Sequence, residues 1–235
     1  MNITIISSES RSDKIGITKK ITSAFLKGIE EKGGRTNIFY MNDLDIQECQ
    51  GCTSDINFTP KEVCKINDSM QDLYKFFRES TIWVFILNFI SPITYKNFHN
   101  LLDRLEPLFQ PKTSRPGKIA TIMTSDLDNQ KQADTAIKQI KITADIFGKT
   151  LMTPILRKQF SLLEFLDRKN ALKIEENNIF KAFEKLGSQV ISCNDFDAET
   201  VKVASQIFEV PENFIEHYWK VELFDKNKIQ KMLPS

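Results

Sequence analysis

Short apolar runs alternate with longer stretches of helical periodicity over the first 160 residues or so. Residues 2–7 form a β-branched run that gives way to a polar loop at 7–16. Ile17, Ile21, Phe25 and Ile29 then recur every four residues, which predicts a helix over 16–32 with one buried stripe. Gly33 and Gly34 stop it, and residues 35–41 read as a second strand. Asn67 or Asp68 is placed to cap a helix over 69–79, whose stripe is Met70, Leu73, Phe76 and Phe77. Residues 81–87 are the most apolar strand, and a run without alternation suits a central parallel strand covered on both faces. A helix around 95–108, a Pro/Gly linker at 111–117, a strand at 118–123, a helix at 129–147 and a strand at 150–156 follow. From about Leu162 the pattern is helical.

Parallel strands need crossovers, and helices supply them with one hand. The order therefore predicts a three-layer α/β/α sandwich around a five-stranded parallel sheet. Residues 1–190 read as the α/β domain and 191–235 as a helical C-terminal extension, placed to lid the domain or to pack on a partner. In such a sheet ligands lie outside the carboxyl ends of the strands, where strand order reverses. The loops at 7–17, 88–94 and 124–129 occupy that edge.

Composition narrows the classes. The 235 residues carry 32 Lys+Arg against 31 Asp+Glu, so there is no basic excess for a nucleic-acid surface. The longest apolar run, from Ile82 to Ile90, is interrupted by Asn88 and falls short of a membrane span. The N-terminus has no basic leader, and 4 Cys are too few for a disulfide scaffold. The expectation is a cytoplasmic globular protein with neither a nucleic-acid nor a membrane partner.

Candidate chemistry concentrates in the first loop. Ser7, Ser8, Ser10, Arg11 and Ser12 precede a helix that opens with Thr18. Hydroxyls, one cation and a helix N-terminus are what a phosphate group requires, although a hydroxyl-rich loop with an ordinary cap has the same composition. No GxGxxG follows the first strand and no GxxxxGK[ST] is present, so dinucleotide and P-loop sites are disfavoured. His99 reads as a helix-surface residue and His217 as a structural residue of the tail. No HExxH or G-x-S-x-G pattern supports a hydrolase. The neighbours Asp103 and Arg104 read as an ion pair.

Several motifs, taken in order, resemble the flavodoxin-like NAD(P)H-dependent FMN reductases and their iron–sulfur flavoprotein relatives. They are Ile3-Thr4-Ile5-Ile6 with Ser7-Ser8-Glu9-Ser10-Arg11 and Thr18, Met41-Asn42-Asp43-Leu44-Asp45-Ile46 leading to Cys49 and Cys52, the stretch from Cys64 to Met70, and Phe98-His99-Asn100-Leu101-Leu102-Asp103-Arg104. The resemblance implies a flavodoxin-like fold, bound FMN, and an oxidoreductase that takes electrons from NADH or NADPH to a quinone, flavin or other small acceptor. It implies that Ser8, Ser10, Arg11 and Thr18 hold the phosphate. Asn88, Phe89 and Ile90 would line the flavin ring, and Thr124, Ser125 and Asp126 would close its far side. It assigns no catalytic side chain, since the cofactor carries the chemistry, and it implies a homodimer or homotetramer.

Two departures bear on this. The family's aromatic and glycine after the third strand are absent at Asn88, Ile90 and Pro92, and Thr124-Ser125-Asp126-Leu127 lacks glycine. The cysteine motif is degraded: Asp55 stands where a third cluster ligand would fall, and Cys193 is remote. No iron–sulfur cluster and no other metal is expected. Cys49 and Cys52 could form a redox dithiol or be inert thiols. The alternative to the enzyme is a flavodoxin-like domain that has lost its cofactor and acts as a non-catalytic binding or interaction module.

Overall fold

A computed structural model describes residues 1–12, 16–52, 64–108, 116–126, 130–168 and 173–206. Asp55, His217, residues 127–129, most of the 111–117 linker and the extension past residue 206 lie outside the described residues.

Among the described residues there are six strands: β1 (Asn2–Ser7), β2 (Arg35–Tyr40), β3 (Ile82–Asn88), β4 (Gly117–Thr124), β5 (Lys149–Leu151) and β6 (Ile155–Arg157). All pair in parallel, in the order β2-β1-β3-β4-β5, and β6 also pairs with β4. The fifth position of the sheet, expected as one strand over 150–156, is thus filled by two short pieces. β5 pairs with 117–119 of β4 and β6 with 122–124. The interruption has a local cause. Pro154 has no N–H to offer, and the Thr153 amide turns away to donate to Asp195 Oδ1 at 2.6 Å.

Side chains of β3 sort by parity. Ile82, Val84 and Ile86 join one core cluster, and Trp83, Phe85 and Leu87 the other. The first face is covered by α1 (Ile17–Glu31), α5 (Phe160–Arg168), α6 (Lys173–Ser192) and α7 (Ala198–Ala204). α2 (Met70–Glu79), α3 (Pro92–Asp103) and α4 (Gln130–Ile146) cover the second. The result is the expected three-layer α/β/α sandwich. Ile17, Ile21, Phe25 and Ile29 are all fully buried, as their spacing requires. α1 and α6 cross closely enough that a Cβ on Gly28 would lie 1.8 Å from the Glu184 carbonyl oxygen, and one on Gly187 2.0 Å from that of Phe25.

α3 starts three residues earlier than its periodicity suggests, because Pro92 suits a first helical position. Arg104, at its end, pairs with Asp68 rather than with its neighbour Asp103. The guanidinium donates to both carboxylate oxygens, at 2.7 and 3.0 Å, and both side chains are buried. The N-cap of α2 is Ser69 and not Asn67 or Asp68, but Asp68, one residue earlier, accepts from the Met70 amide at 3.0 Å and so serves the helix start as well as the ion pair.

No helix among the described residues is long and apolar enough to cross a membrane.

Candidate functional site

Strand order reverses between β1 and β3, since β2 lies to one side of β1 and β3 to the other. A crevice opens there at the carboxyl ends of the strands, as such topologies require. It is a cleft of about 380 Å³, within the range of small-molecule sites.

Ser8 closes the floor. Its amide donates to the Ile86 carbonyl at 2.9 Å, and its hydroxyl accepts from the Asn88 amide at 2.8 Å, which leaves the hydroxyl proton to donate elsewhere. Asn88 in turn accepts at its side-chain oxygen from the Ile90 amide at 3.1 Å. The two loops of the switch point are therefore tied together by short polar side chains, where a larger residue would fill the crevice.

Two helices point their N-termini at this cleft. Gly16, Ile17 and Thr18 of α1 line it, as do Ser91 and Thr94 at the start of α3. Among the described residues neither helix start carries a side-chain cap, so first-turn amides remain as donors. Amides and dipole together favour an anion. A third helix start, that of α5, brings Phe160, Ser161 and Glu164 to the opposite wall. This one is capped: Asp126 accepts from the Ser161 amide at 2.9 Å and from its hydroxyl. Gln159, just before α5, has φ 57, a left-handed conformation uncommon for a residue with a side chain. Lys20 of α1 and Asp167 of α5 form an ion pair that ties the two helices.

The residues named from sequence divide into two groups. Ser8, Thr18, Asn88 and Ile90 line the cleft. Six others face elsewhere or lie behind the wall. Ser10 donates its hydroxyl to Asp43, and the Arg11 amide donates to the same carboxylate at 2.8 Å. The Arg11 guanidinium sits 5.9 Å from the centre of the Tyr40 ring. Phe89 is buried against Phe98 and Tyr95. Thr124 and Ser125 are fully buried, and Asp126 is engaged with α5. The Ser125 amide donates to the Arg157 carbonyl at 3.0 Å and its carbonyl accepts from the Phe160 amide at 3.3 Å. The β4 loop is therefore sewn to the β6–α5 connection, and the wall expected from it is presented by α5.

Sequence reasoning missed Glu9, Asn42, Ser91, Thr94, Phe160, Ser161 and Glu164. The first four flank segments already singled out, and only their aim was unknown. Phe160, Ser161 and Glu164 had no signal, because nothing local says that a helix past the fifth strand returns to the first. Glu9 is buried on the cleft wall and its carboxylate accepts from the Ser7 hydroxyl at 3.3 Å. The donors fit a phosphate at the α1 end, and the carboxylates of Glu9 and Glu164 suit the hydroxyls of a polyol chain as acceptors.

Cys49 and Cys52 are exposed, while Cys64 and Cys193 are half-buried; all four are free thiols. No group of three or more His, Cys, Asp or Glu among the described residues is arranged to hold a metal ion. His99 lies on α3, its Nδ1 3.0 Å from the Gln139 amide nitrogen and its ring edge-on to Tyr95.

No protein-family model matches the sequence, and no curated protein matches it. Solved structures do. The azoreductase AzrA is 15% identical, with 80% of this chain and 100% of that chain covered at a TM-score of 0.54. An NAD(P)H:quinone oxidoreductase from Methanothermobacter marburgensis is 11% identical over 81% of this chain and 96% of that chain, at 0.56. RosB, solved with bound 8-demethyl-8-formylriboflavin-5'-phosphate, is 13% identical over 96% of this chain and 88% of that chain, at 0.54. At these identities the likeness establishes the architecture: the chain has the flavodoxin-like fold.

Proposed function

We propose that the protein is an FMN-dependent oxidoreductase that takes electrons from NADH or NADPH and delivers them to a small acceptor such as a quinone or a flavin. The observation that carries this reading is the convergence of two helix starts without side-chain caps, with the Ser8 and Thr18 hydroxyls, on one cleft at the β1/β3 switch point. The nature of the structural neighbours supports it: two are oxidoreductases, and the third was solved with a riboflavin phosphate derivative.

When bound, FMN supplies the hydride and electron chemistry, so the chain has to bind, orient and shield. The amides of Ile17 and Thr18 and the hydroxyls of Ser8 and Thr18 would hold the phosphate. Asn42, Asn88, Glu9 and Glu164 line the cleft and would face the sugar-like chain. Ile90 and Phe160 would supply the apolar surface for a flat ring. α5 excludes water from one side and is kept in place by Asp126 and by the Lys20–Asp167 pair.

A non-catalytic binding module is the second reading. It is favoured by the engagement of Ser10 and the Arg11 amide with Asp43, which turns part of the expected phosphate loop toward the chain's own carboxylate. Titration with FMN under anaerobic conditions, followed by addition of NADPH or NADH, separates the two. The enzyme takes up flavin and bleaches its visible spectrum on addition of the nicotinamide. A chain that takes up no flavin at saturating FMN is the module.

A further inference from the structure

A phosphate at α1 uses one of the two helix starts on the cleft and leaves the other, that of α3, without a task. The two starts differ. α1 opens with Ile17 and Thr18, each with an amide to donate, whereas α3 opens with Pro92, which has none. α1 is therefore the better seat for a phosphate, and α3 suits an acceptor of lower charge. What α3 brings instead is a hydroxyl. Thr94, in its first turn, lines the cleft and is 2% exposed, yet among the described residues its hydroxyl makes no hydrogen bond. Buried hydroxyls are normally bonded within the protein, so one that lines a cleft without a partner is matched to a ligand. Ser91, at the cap position, also lines the cleft and makes no cap bond. The apolar lining residue Ile90 directly precedes it.

We propose that the start of α3, with Thr94 as its hydroxyl donor, is a second subsite of the cleft: it takes a carbonyl oxygen on the polar edge of the flavin ring, and holds that edge more tightly in the reduced ring than in the oxidised one. The inference rests on the mononucleotide reading above and names what holds the end of the ligand remote from the phosphate. A ring packed on Ile90 lies beside the α3 start, and its carbonyl oxygens are the acceptors it has to offer there. The β4 loop has no donors to compete. Thr124 and Ser125 are fully buried, the Ser125 amide is committed to the Arg157 carbonyl, and Asp126 is committed to α5. Two electrons and one proton convert the oxidised ring to an anion. A hydroxyl and a helix N-terminus at its electron-rich edge favour that anion over the neutral oxidised form.

The test is binding of FMN and of riboflavin to the full chain, followed by quenching of flavin fluorescence, and the midpoint potential of bound FMN, poised anaerobically with dithionite against a dye of known potential. The proteins are wild type, Thr94→Val, Thr94→Ser and Thr18→Val, each checked by circular dichroism, with Thr94→Ala in reserve should the valine variant not fold. Thr94→Val is expected to weaken FMN and riboflavin alike, about fivefold, the scale of one neutral hydrogen bond. Thr94→Ser keeps the hydroxyl and restores both. Thr18→Val weakens FMN and leaves riboflavin within about twofold, because it acts on the phosphate. In Thr94→Val the reduced flavin loses a further factor of about ten, which lowers the potential of bound FMN by about 30 mV. A loss confined to FMN would make α3 the phosphate seat. Unchanged affinity for both flavins would show that the hydroxyl meets no part of the ligand, and equal losses at an unchanged potential would show a contact blind to the ring's charge. Each of these three results overturns the proposal while leaving the flavin site standing. If neither flavin binds the wild-type chain, the mononucleotide reading falls and this inference falls with it.

Discussion

Thr18 is the residue at which the sequence pattern and the cleft agree most closely: it opens α1, lines the cleft and is 4% exposed. Replacing it with valine keeps the shape and removes one donor. Thr18→Val is therefore expected to weaken FMN binding by about 1–3 kcal/mol without loss of fold, as measured by flavin titration and circular dichroism. Arg11→Ala should cost less, because that guanidinium lies over Tyr40. Buried charge makes its own demands. Burial raises the Asp68 carboxyl, but the Arg104 guanidinium and the amides of Gln47 and Met70 outweigh it and hold the group below its ordinary value. Its contribution is complete above the usual carboxylate range and fades as pH falls through the depressed native value. Asp68→Asn leaves Arg104 without its counter-charge and should cost about 3–5 kcal/mol in urea unfolding. Lys149 runs the other way. Burial pushes its ammonium down to about 8 from 10.5, although the Trp83 face lies 4.7 Å away. Between those two values the unfolded chain binds more protons, so this group makes stability rise with pH. Lys149→Met should flatten that rise; equal slopes in the two proteins would show that the ammonium remains charged.

At the scale of elements, the crossing of α1 and α6 is set by absence of side chain. Gly28 and Gly187 let the helices approach until backbone meets backbone, and the Ser188 hydroxyl donates to the Gly28 carbonyl at 3.1 Å. Either glycine changed to alanine must push the helices apart, with a loss of about 1–3 kcal/mol or more, visible as a lowered urea midpoint at unchanged slope. α6 is also held at its C-terminus, just past the crossing, by Lys118, whose ammonium donates to the carbonyls of Val190 and Cys193 at 3.2 and 2.6 Å. That is the cation a helix C-terminus favours. α5 is the element on which the cleft depends, and Asp126 positions it. Asp126→Ala should lower flavin affinity through α5, and Ser161→Ala should do so less, since it keeps the amide half of the cap. Identical effects of the two variants would show that the hydroxyl alone matters.

For the molecule as a whole, a ligand that binds only the folded chain must stabilise it. FMN at one hundred times its dissociation constant should raise the unfolding free energy by about 2.7 kcal/mol, and an unmoved transition would refute a site in the folded state. The layering was legible because backbone geometry repeats locally. Four residues per recurrence at Ile17, Ile21, Phe25 and Ile29 can bury only one helix face, and an unalternating run at 82–87 can be satisfied only by cover on both sides. Ser8 and Thr18 were legible for the same reason, being neighbours of a strand end and a helix start. Phe160, Ser161 and Glu164 were not, because they reach the cleft only through the pairing of β6 with β4. Nor was the hold of Asp43 on Ser10, a contact across 33 residues that depends on β2 lying beside β1. Periodicity and punctuation alone determined which faces are buried, the alternation of strand and helix, and the edge where a ligand belongs. The breaking of the fifth strand, the sealing of the β4 loop by α5 and the aim of each polar side chain were decided by tertiary contacts. Those contacts join segments distant in the chain, and their energy is absent from any local stretch of sequence.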